Sequence, residues 1–435
     1  MNKNSIKHIN NFFLNISLVL IAAVLFSACA NNSYQASSRK LNLAAMYYPM
    51  ATTLHPVYKI YHNNDNTSLL FVKIFTSELM FAPSNIEGKS IGKVDLHYTL
   101  YEVVDDTTML VADSGVYNFN IDEDVVGKRF YSQIPLKAET GKLYQLRVLA
   151  KDKLRRAIDI KYIDVDKQSA YGAQNYNLTN HNDIPYFSNV VKPISLFKIK
   201  TRYHNSEKLY VKYYKHNYSA PKPTYSYNIS SMFNEDPDSL WVFDYSNNLT
   251  MQLYYEGYYL ISIDTTKKGG LLISNYGVDY PKVSSVDGMV EPLQYIALKK
   301  EYDEIIERKN TKLAVDDFWM EKGNGMARGR ELIRIFYNRV YFSNYYFTSG
   351  VPGWATDRGM VYIMYGPPQK LERTAIAELW YYWVKDNSEP VMFNFTYSSS
   401  EFFNNSYILD RGNNQEWHWQ DALVAWRNGK IFLQD

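Results

Sequence analysis

Apolar and polar positions alternate in short runs over the first half of the chain and take up a helical period in the second. Leu69-Leu70-Phe71-Val72-Lys73-Ile74-Phe75 is a nearly continuous apolar run, and Val94-Asp95-Leu96-His97-Tyr98-Thr99-Leu100-Tyr101 alternates more cleanly. Residues 130–136 and 143–150 repeat the pattern, and Asp105-Asp106 and Glu139-Thr140-Gly141 supply turns between the runs. Short strands parted by turn residues predict an antiparallel β-sandwich over residues 42–167. A second β region, residues 190–286, contains Leu209-Tyr210-Val211-Lys212-Tyr213-Tyr214, Trp241-Val242-Phe243-Asp244-Tyr245 and Tyr258-Tyr259-Leu260-Ile261-Ser262-Ile263. Between the two, residues 168–189 are Asn-rich and hold Asp183-Ile184-Pro185, which reads as a linker. After Asp287 the period is helical: Pro292 suits a first turn, and Tyr295, Leu298, Tyr302 and Ile305 fall on one face. A short helix is expected over 313–320. A long one, from Met326 to Phe347, carries Ile333, Phe336 and Val340 and stops before Ser349-Gly350 and Pro352.

Gly141-Lys142-Leu143-Tyr144 ahead of an alternating strand resembles the corner tyrosine of immunoglobulin-like sandwiches. The fold class expected is therefore α+β and mostly β. It comprises an N-terminal immunoglobulin-like β-sandwich, a second β domain, and a mixed helix/strand domain over residues 287–435.

The N-terminus is patterned differently. Lys3, Lys7 and His8 precede an apolar stretch, residues 16–26, which ends in Phe26-Ser27-Ala28-Cys29. A charged start, a short apolar core and small residues are the layout of a secretory signal, and the core is too short to span a bilayer. Small residues before a cysteine resemble the lipobox of bacterial lipoproteins. The resemblance implies that residues 1–28 are removed, that Cys29 carries lipid, and that residues 29–41 tether the first domain to a membrane. Ala30-Asn31-Asn32-Ser33-Tyr34-Gln35 has no charge. It lacks both the acidic tag of surface-displayed lipoproteins and the aspartate of inner-membrane retention. The outer membrane facing the periplasm is the expected location, with the cell surface as the alternative.

Composition narrows the picture further. Loss of residues 1–28 removes two of the 47 basic residues, leaving 45 against 45 acidic ones. That balance gives no case for nucleic acid. Cys29 is the only cysteine, so neither an intramolecular disulfide nor a cysteine metal cluster can form. The 40 tyrosines fit a Tyr-rich β protein, or a carbohydrate- or protein-binding face. Arg328, Arg330, Arg334 and Arg339 on the long helix form a solvated basic face, or a partner or anion site.

The segment after that helix holds the most distinctive motif. Gly353-Trp354-Ala355-Thr356-Asp357-Arg358-Gly359 is followed by Met360-Val361-Tyr362-Ile363-Met364-Tyr365-Gly366-Pro367-Pro368. It is similar to the signature of the GWxTD-domain family of bacterial envelope proteins. Pro292-Leu293-Gln294-Tyr295-Ile296, Glu378-Leu379-Trp380-Tyr381-Tyr382, Trp419 and Ala425-Trp426-Arg427 extend the resemblance over roughly 225–435. It implies a fold and little mechanism.

Physically, the motif reads as a helix–turn–strand corner. Gly353 bends, Trp354 seals the corner, Thr356 and Asp357 bond local backbone N–H groups, Gly359 precedes a strand over 360–365, and Gly366-Pro367-Pro368 ends it. Under that reading Asp357→Asn is nearly silent. The alternative makes Asp357 and Arg358 the polar groups of a ligand site.

Motifs with a mechanism are otherwise missing. The sequence has no His-Glu-x-x-His, no Gly-x-Ser-x-Gly and no phosphate loop, Gly323-Asn324-Gly325 lacking the lysine and the strand. Glu416-Trp417-His418-Trp419 reads as an aromatic core corner. No catalysis, metal or cofactor is expected. The expected role is a binding or scaffold subunit of an envelope assembly with protein partners, and the alternative is an envelope hydrolase or carbohydrate-binding lipoprotein. Asp106-Thr107-Thr108, Asp238-Ser239-Leu240 and Asp264-Thr265-Thr266 resemble an acceptor of envelope O-glycosylation systems, implying modification at Thr107, Ser239 and Thr265.

Overall fold

The structure is a computed structural model. It describes residues 42–432 apart from 50–52, 86–87, 106–107, 204–205, 216–217, 227–235, 375, 384–388, 399–405 and 413–414. Residues 1–28, Cys29, the tether 29–41 and Thr107 lie outside the described residues.

The first β region folds into eight antiparallel strands: β1 (Val57–Tyr61), β2 (Thr67–Phe75), β3 (Phe81–Pro83), β4 (Ser90–Val103), β5 (Met109–Asp122), β6 (Arg129–Lys137), β7 (Leu143–Asp152) and β8 (Ile158–Asp166). One sheet runs β1-β2-β6; the other runs β3-β4-β7-β8 with β5 added beside β4. The alternation of β4 is the reason it faces two ways. Val94, Leu96, Tyr98 and Leu100 enter the core, and Lys93 and His97 face water. Tyr144 makes the expected corner, its hydroxyl accepting the Glu139 N–H at 2.9 Å.

The second β region adds β9 (Tyr176–Asn180), β10 (Phe197–Thr201), β11 (Lys208–Tyr214), β12 (Ser239–Asp244), β13 (Thr250–Met251), β14 (Gly257–Ser262) and β15 (Leu271–Asn275). Its sheets run β13-β10-β9 and β12-β11-β14-β15. The stretch 168–189, expected to be a linker, is instead built into this sandwich. Strand β9 pairs with β10 from Tyr176↔Thr201 to Asn180↔Phe197, and Tyr176 and Leu178 are core residues. The asparagines that suggested a linker make the turns around β9. Asn175 Nδ2 donates to Ser169 and Gly172 carbonyls, and Asn180 Oδ1 accepts from Asn182 and Ile184 N–H groups. The same stretch welds the two sandwiches together. His62 N–H donates to Gln174 O at 2.8 Å, and Gln174 Oε1 accepts the Asp166 N–H at 2.9 Å.

The third region carries α1 (Val286–Val290), α2 (Lys299–Glu307), α3 (Thr311–Lys322), α4 (Met326–Phe347), α5 (Asp357–Tyr365), a sheet in the order β16 (Lys370–Arg373), β17 (Ala377–Tyr382), β18 (Val391–Tyr397) and β19 (Tyr407–Leu409), and α6 (Glu416–Arg427). Helix α4 begins and ends where its period predicted. Two expectations give way nearby. Leu298 is half exposed because it is the N-cap of α2 rather than part of its apolar face. Residues 360–365 form a helix rather than a strand, because α5 is buried on every side and its apolar run has no polar face to show a period.

The chain ahead of β1 also departs from expectation. Residues 42–49 leave the first sandwich and close the third domain. Leu43 N–H donates to Leu371 O at 2.8 Å, and Asn42 Oδ1 accepts the Leu371 N–H at 3.0 Å. Leu43, Met46 and Tyr47 are members of the third domain's core. The second sandwich adjoins the same domain through the outer face of its larger sheet, where Tyr214, Tyr258, Leu260 and Leu272 are buried with Tyr218 and Tyr276 against them. Strand β14 is covered on both faces and is buried throughout.

Candidate functional site

The motif Gly353 to Gly359 forms the turn between α4 and α5, and each of its residues has a defined neighbour. Gly353 lies so close to α4 that an added Cβ would stand 1.9 Å from the Ser343 carbonyl oxygen. Its backbone lies outside the positive-φ region, so close approach rather than a bend requires glycine. Trp354 is buried; its N–H donates to Asn344 Oδ1 at 3.0 Å and its carbonyl accepts from Tyr295 OH at 2.8 Å. Thr356 is the N-cap of α5, its Oγ1 accepting the Gly359 N–H at 3.0 Å while its hydroxyl donates to Gly353 O at 2.7 Å. Gly359 sits inside the helix, where a Cβ would come within 1.8 Å of Gly353 O. It precedes no strand. Gly366 takes a positive φ of 87° and caps α5, with Pro367 and Pro368 leading into β16.

Asp357 reaches across the domain instead of bonding its own turn as expected, the turn N–H of Gly359 being taken by Thr356. It is buried, and its Oδ1 pairs with Arg411 Nη2 at 2.5 Å. Its Oδ2 accepts from Arg411 Nη1 at 3.0 Å and from the Leu409 N–H at 2.8 Å. The carboxylate therefore ties the N-terminus of α5 to β19 across more than fifty residues of sequence, with the helix dipole adding to its stability. Near-silence of Asp357→Asn does not survive this geometry, since the amide leaves Arg411 without its buried counter-charge.

Arg358 points into a buried cluster below the motif. It is 1% exposed, and its guanidinium lies 4.0 Å from the Tyr407 ring centroid and 5.1 Å from that of Phe347. Nη1 reaches both oxygens of Glu378 at 3.4 Å and Tyr47 OH at 3.3 Å. Glu378 is 0% exposed and also accepts from Tyr47 OH at 2.9 Å and Trp380 Nε1 at 3.2 Å. Arg373 completes the cluster, pairing with Asp164 of β8 at 3.1 Å and donating to Tyr407 OH at 2.8 Å. Burial opposes the Arg373 charge, but Tyr407, Asp164 and Glu378 raise its guanidinium well above the usual range. Burial, then Glu378, pushes the Tyr47 hydroxyl above the usual phenol range. One cluster thus joins the N-terminal segment, the first sandwich and the third domain.

Arg339 corrects the solvated basic face. It is buried, donates to the Ile363 and Met364 carbonyls at 3.0 and 3.2 Å, and lies 5.3 Å from the Trp426 ring. It caps the C-terminal carbonyls of α5, and burial lowers its guanidinium to about 10. Arg330 and Arg334 remain exposed, and Arg328 donates to Gly429 O and to Glu331. In the Glu416–Trp419 group, Trp419 is buried and Trp417 is 79% exposed, so only Trp419 of that group is core. Ser239 opens β12 half-buried, and Thr265 is exposed between β14 and β15. An open hollow of about 710 Å³, lined by Val286, Asp287, Lys309, Asn310, Thr311 and Lys312, lies beside α1 and α3 rather than at the motif.

Sequence reasoning named the motif but missed Arg411, Glu378, Arg373, Asp164, Tyr407 and Tyr47 as its partners. Glu378 stood in a flank of the resemblance; the others carry no local signal. The geometry holds charge and aromatic area in fixed positions, and both oxygens of each central carboxylate are engaged by protein groups.

Several solved structures bear a partial likeness to the chain. A glycosyl hydrolase family 2 member from Bacteroides cellulosilyticus is 12% identical over 29% of this chain and 15% of its own, with a TM-score of 0.19. A β-glucuronidase from Bacteroides uniformis is 12% identical over 32% of this chain and 16% of its own, with a TM-score of 0.16. The chain spans less than a fifth of either protein, and a likeness this slight says nothing of activity. No curated protein matches the chain. The family comparison is specific: the GWxTD domain matches residues 257–428, which hold the motif, α5, Glu378, Arg411 and the whole of α6. Residues 257–428 of this chain are thus a GWxTD domain.

Proposed function

We propose that this protein is a lipid-anchored, non-enzymatic binding or scaffold subunit of a cell-envelope assembly, held at the outer membrane and facing the periplasm. The observation that carries the reading is the fate of the signature polar residues. Asp357 is closed off by Arg411 and Leu409, and Arg358 by Glu378, Tyr407 and Phe347. A signature spent on internal pairing serves a rigid framework better than a reacting centre. Lipid on Cys29 would leave residues 29–41 as the tether, which reaches at most about 45 Å when extended. Because residues 42–49 dock on the third domain, the tether would hold the GWxTD domain near the bilayer, rather than letting the sandwiches project it away.

The first test is fractionation. Wild-type protein is expected in the outer membrane, and Cys29→Ser is expected as a soluble or unprocessed form; unchanged membrane association of the variant defeats the anchor. The second is purification of the native lipoprotein in mild detergent. A stoichiometric partner supports the scaffold. Saturable glycan binding with no partner replaces it with the carbohydrate-binding reading.

A further inference from the structure

Strand β12 is the margin of its sheet, pairing with β11 along Ser239–Asp244. Its apolar run is largely exposed, as is that of β5. Leu240, Trp241 and Val242 are 50%, 36% and 52% exposed, although the run is as apolar as a core strand. An exposed apolar edge is a template for another chain, and natural proteins usually blunt such edges with charge, proline or a cover. Here none of the three residues is charged or proline.

The end of β12 nearest Asp238 has a second character. Tyr213 sits at its centre: the Asp238 N–H donates to Tyr213 O at 2.9 Å, and Tyr213 OH donates to Glu256 O at 2.8 Å. The rings of Trp241 and Tyr255 lie 5.9 and 6.0 Å from the Tyr213 ring, and Trp241 stacks on Tyr259 at 6.3 Å. Tyr255 is 61% exposed yet fixed. Tyr259 OH accepts its N–H at 3.1 Å and donates to its carbonyl at 2.8 Å, and Asn275 Nδ2 donates to that carbonyl at 2.9 Å. Asp238 and Glu256 are both exposed at this corner. Ordered aromatic faces beside carboxylates attract a cation, and rings held before binding lose little entropy on contact.

We propose that β12 is a docking edge for an extended segment of a partner polypeptide, which adds as a strand along Leu240–Asp244 and places a lysine or arginine in the Trp241–Tyr255–Asp238–Glu256 corner. Main-chain pairing gives affinity in this mode and side-chain pockets give specificity. The charges disfavour a second copy: antiparallel self-pairing centred on Trp241 sets Asp238 against Asp244, and centring on Val242 sets Leu240 against Asp244. A sugar finds stacking faces at the corner but no hydrogen-bond partner in the side chains of Leu240 and Val242. The inference rests on the scaffold reading and adds to it a surface and a partner chemistry.

The test places a photoreactive benzoylphenylalanine at position 242 of the full chain in its own host, with position 240 as a second probe and exposed position 304 on α2 as the control. Irradiation is expected to give a discrete adduct from 242 or 240 and none from 304. Peptide mapping should place the adduct in a segment that alternates apolar and polar residues beside a lysine or arginine. Asp238→Asn combined with Glu256→Gln should lower the yield by about tenfold while leaving the circular dichroism unchanged. An adduct with a glycan, with this chain itself or with a second copy overturns the proposal, as does a yield indifferent to the paired substitution. A partner that copurifies but never crosslinks at 242 or 240 removes this surface and leaves the scaffold standing. Absence of both removes the two together.

Discussion

Asp357 places a full charge in a buried position beside a helix end that Thr356 already caps. The cost of that arrangement shows when one half is removed, because a buried guanidinium without its carboxylate is far less favourable than either the pair or an apolar substitute. Asp357→Asn is therefore expected to destabilise the third domain by about 3–5 kcal/mol. Adding Arg411→Met should recover part of that loss. Urea unfolding of the chain without its signal, followed by tryptophan fluorescence, measures both; a silent Asp357→Asn would show that the pair with Arg411 is not formed in solution. His62 makes a second case at this scale. It is fully buried, with Nδ1 on Ser68 Oγ at 2.8 Å and Nε2 on Asp166 O at 2.9 Å, and burial lowers its imidazole to about 3. Unfolded, the same ring titrates near about 6.5. Between those values the unfolded chain binds a proton that the folded one does not. Stability is thus intact above about pH 6.5 and falls as pH drops toward 3. Urea midpoints across that window should decline in wild type and decline less in His62→Gln.

Among the elements, the pairing of α4 with α5 depends on the absence of side chains. Gly353 and Gly359 bring the two helices and their turn closer than any Cβ allows. Gly353→Ala is expected to cost at least about 1–3 kcal/mol, the range for overpacked cores, because the obstructing atom is backbone and cannot rotate away. A fall in thermal midpoint with retained secondary structure would register it. These elements also show what a sequence can disclose. Strand β4 was legible because one of its faces is wet, and α4 because its 22 residues cover several turns with a stop signal behind them. Helix α5 was not, since nine consecutive buried residues erase the difference between periods of 2.0 and 3.6. Strand β9 hid behind asparagines that belong to its turns. The motif was visible as a motif, but Arg411, Glu378 and Tyr47 meet it through tertiary contacts, for which no local spacing exists.

At the scale of the molecule, the last domain closes on residues 42–49. Tyr47 packs within 5.4 Å of Trp380 and 4.9 Å of Phe347, and accepts a hydrogen bond from Tyr362 OH through its own carbonyl at 2.9 Å. Tyr47→Ala is expected to cost about 3–5 kcal/mol, as for other large aromatic truncations, and to act on the third domain although the residue precedes the first. Limited proteolysis should then release fragments from the last third of the chain before the sandwiches are cut. If the sandwiches go first, the segment is not the keystone its contacts suggest.

The same segment decides how the protein carries tension. A pull on the chain ahead of Asn42 enters at the hydrogen bonds that join Asn42 and Leu43 to Gln369 and Leu371, so the GWxTD domain takes the strain directly. The two sandwiches lie off that line of force for as long as the clasp holds. Once it opens, the load passes into the first sandwich at Leu54, which is buried in that core, and at His55, whose N–H donates to Glu78 Oε2 at 2.8 Å.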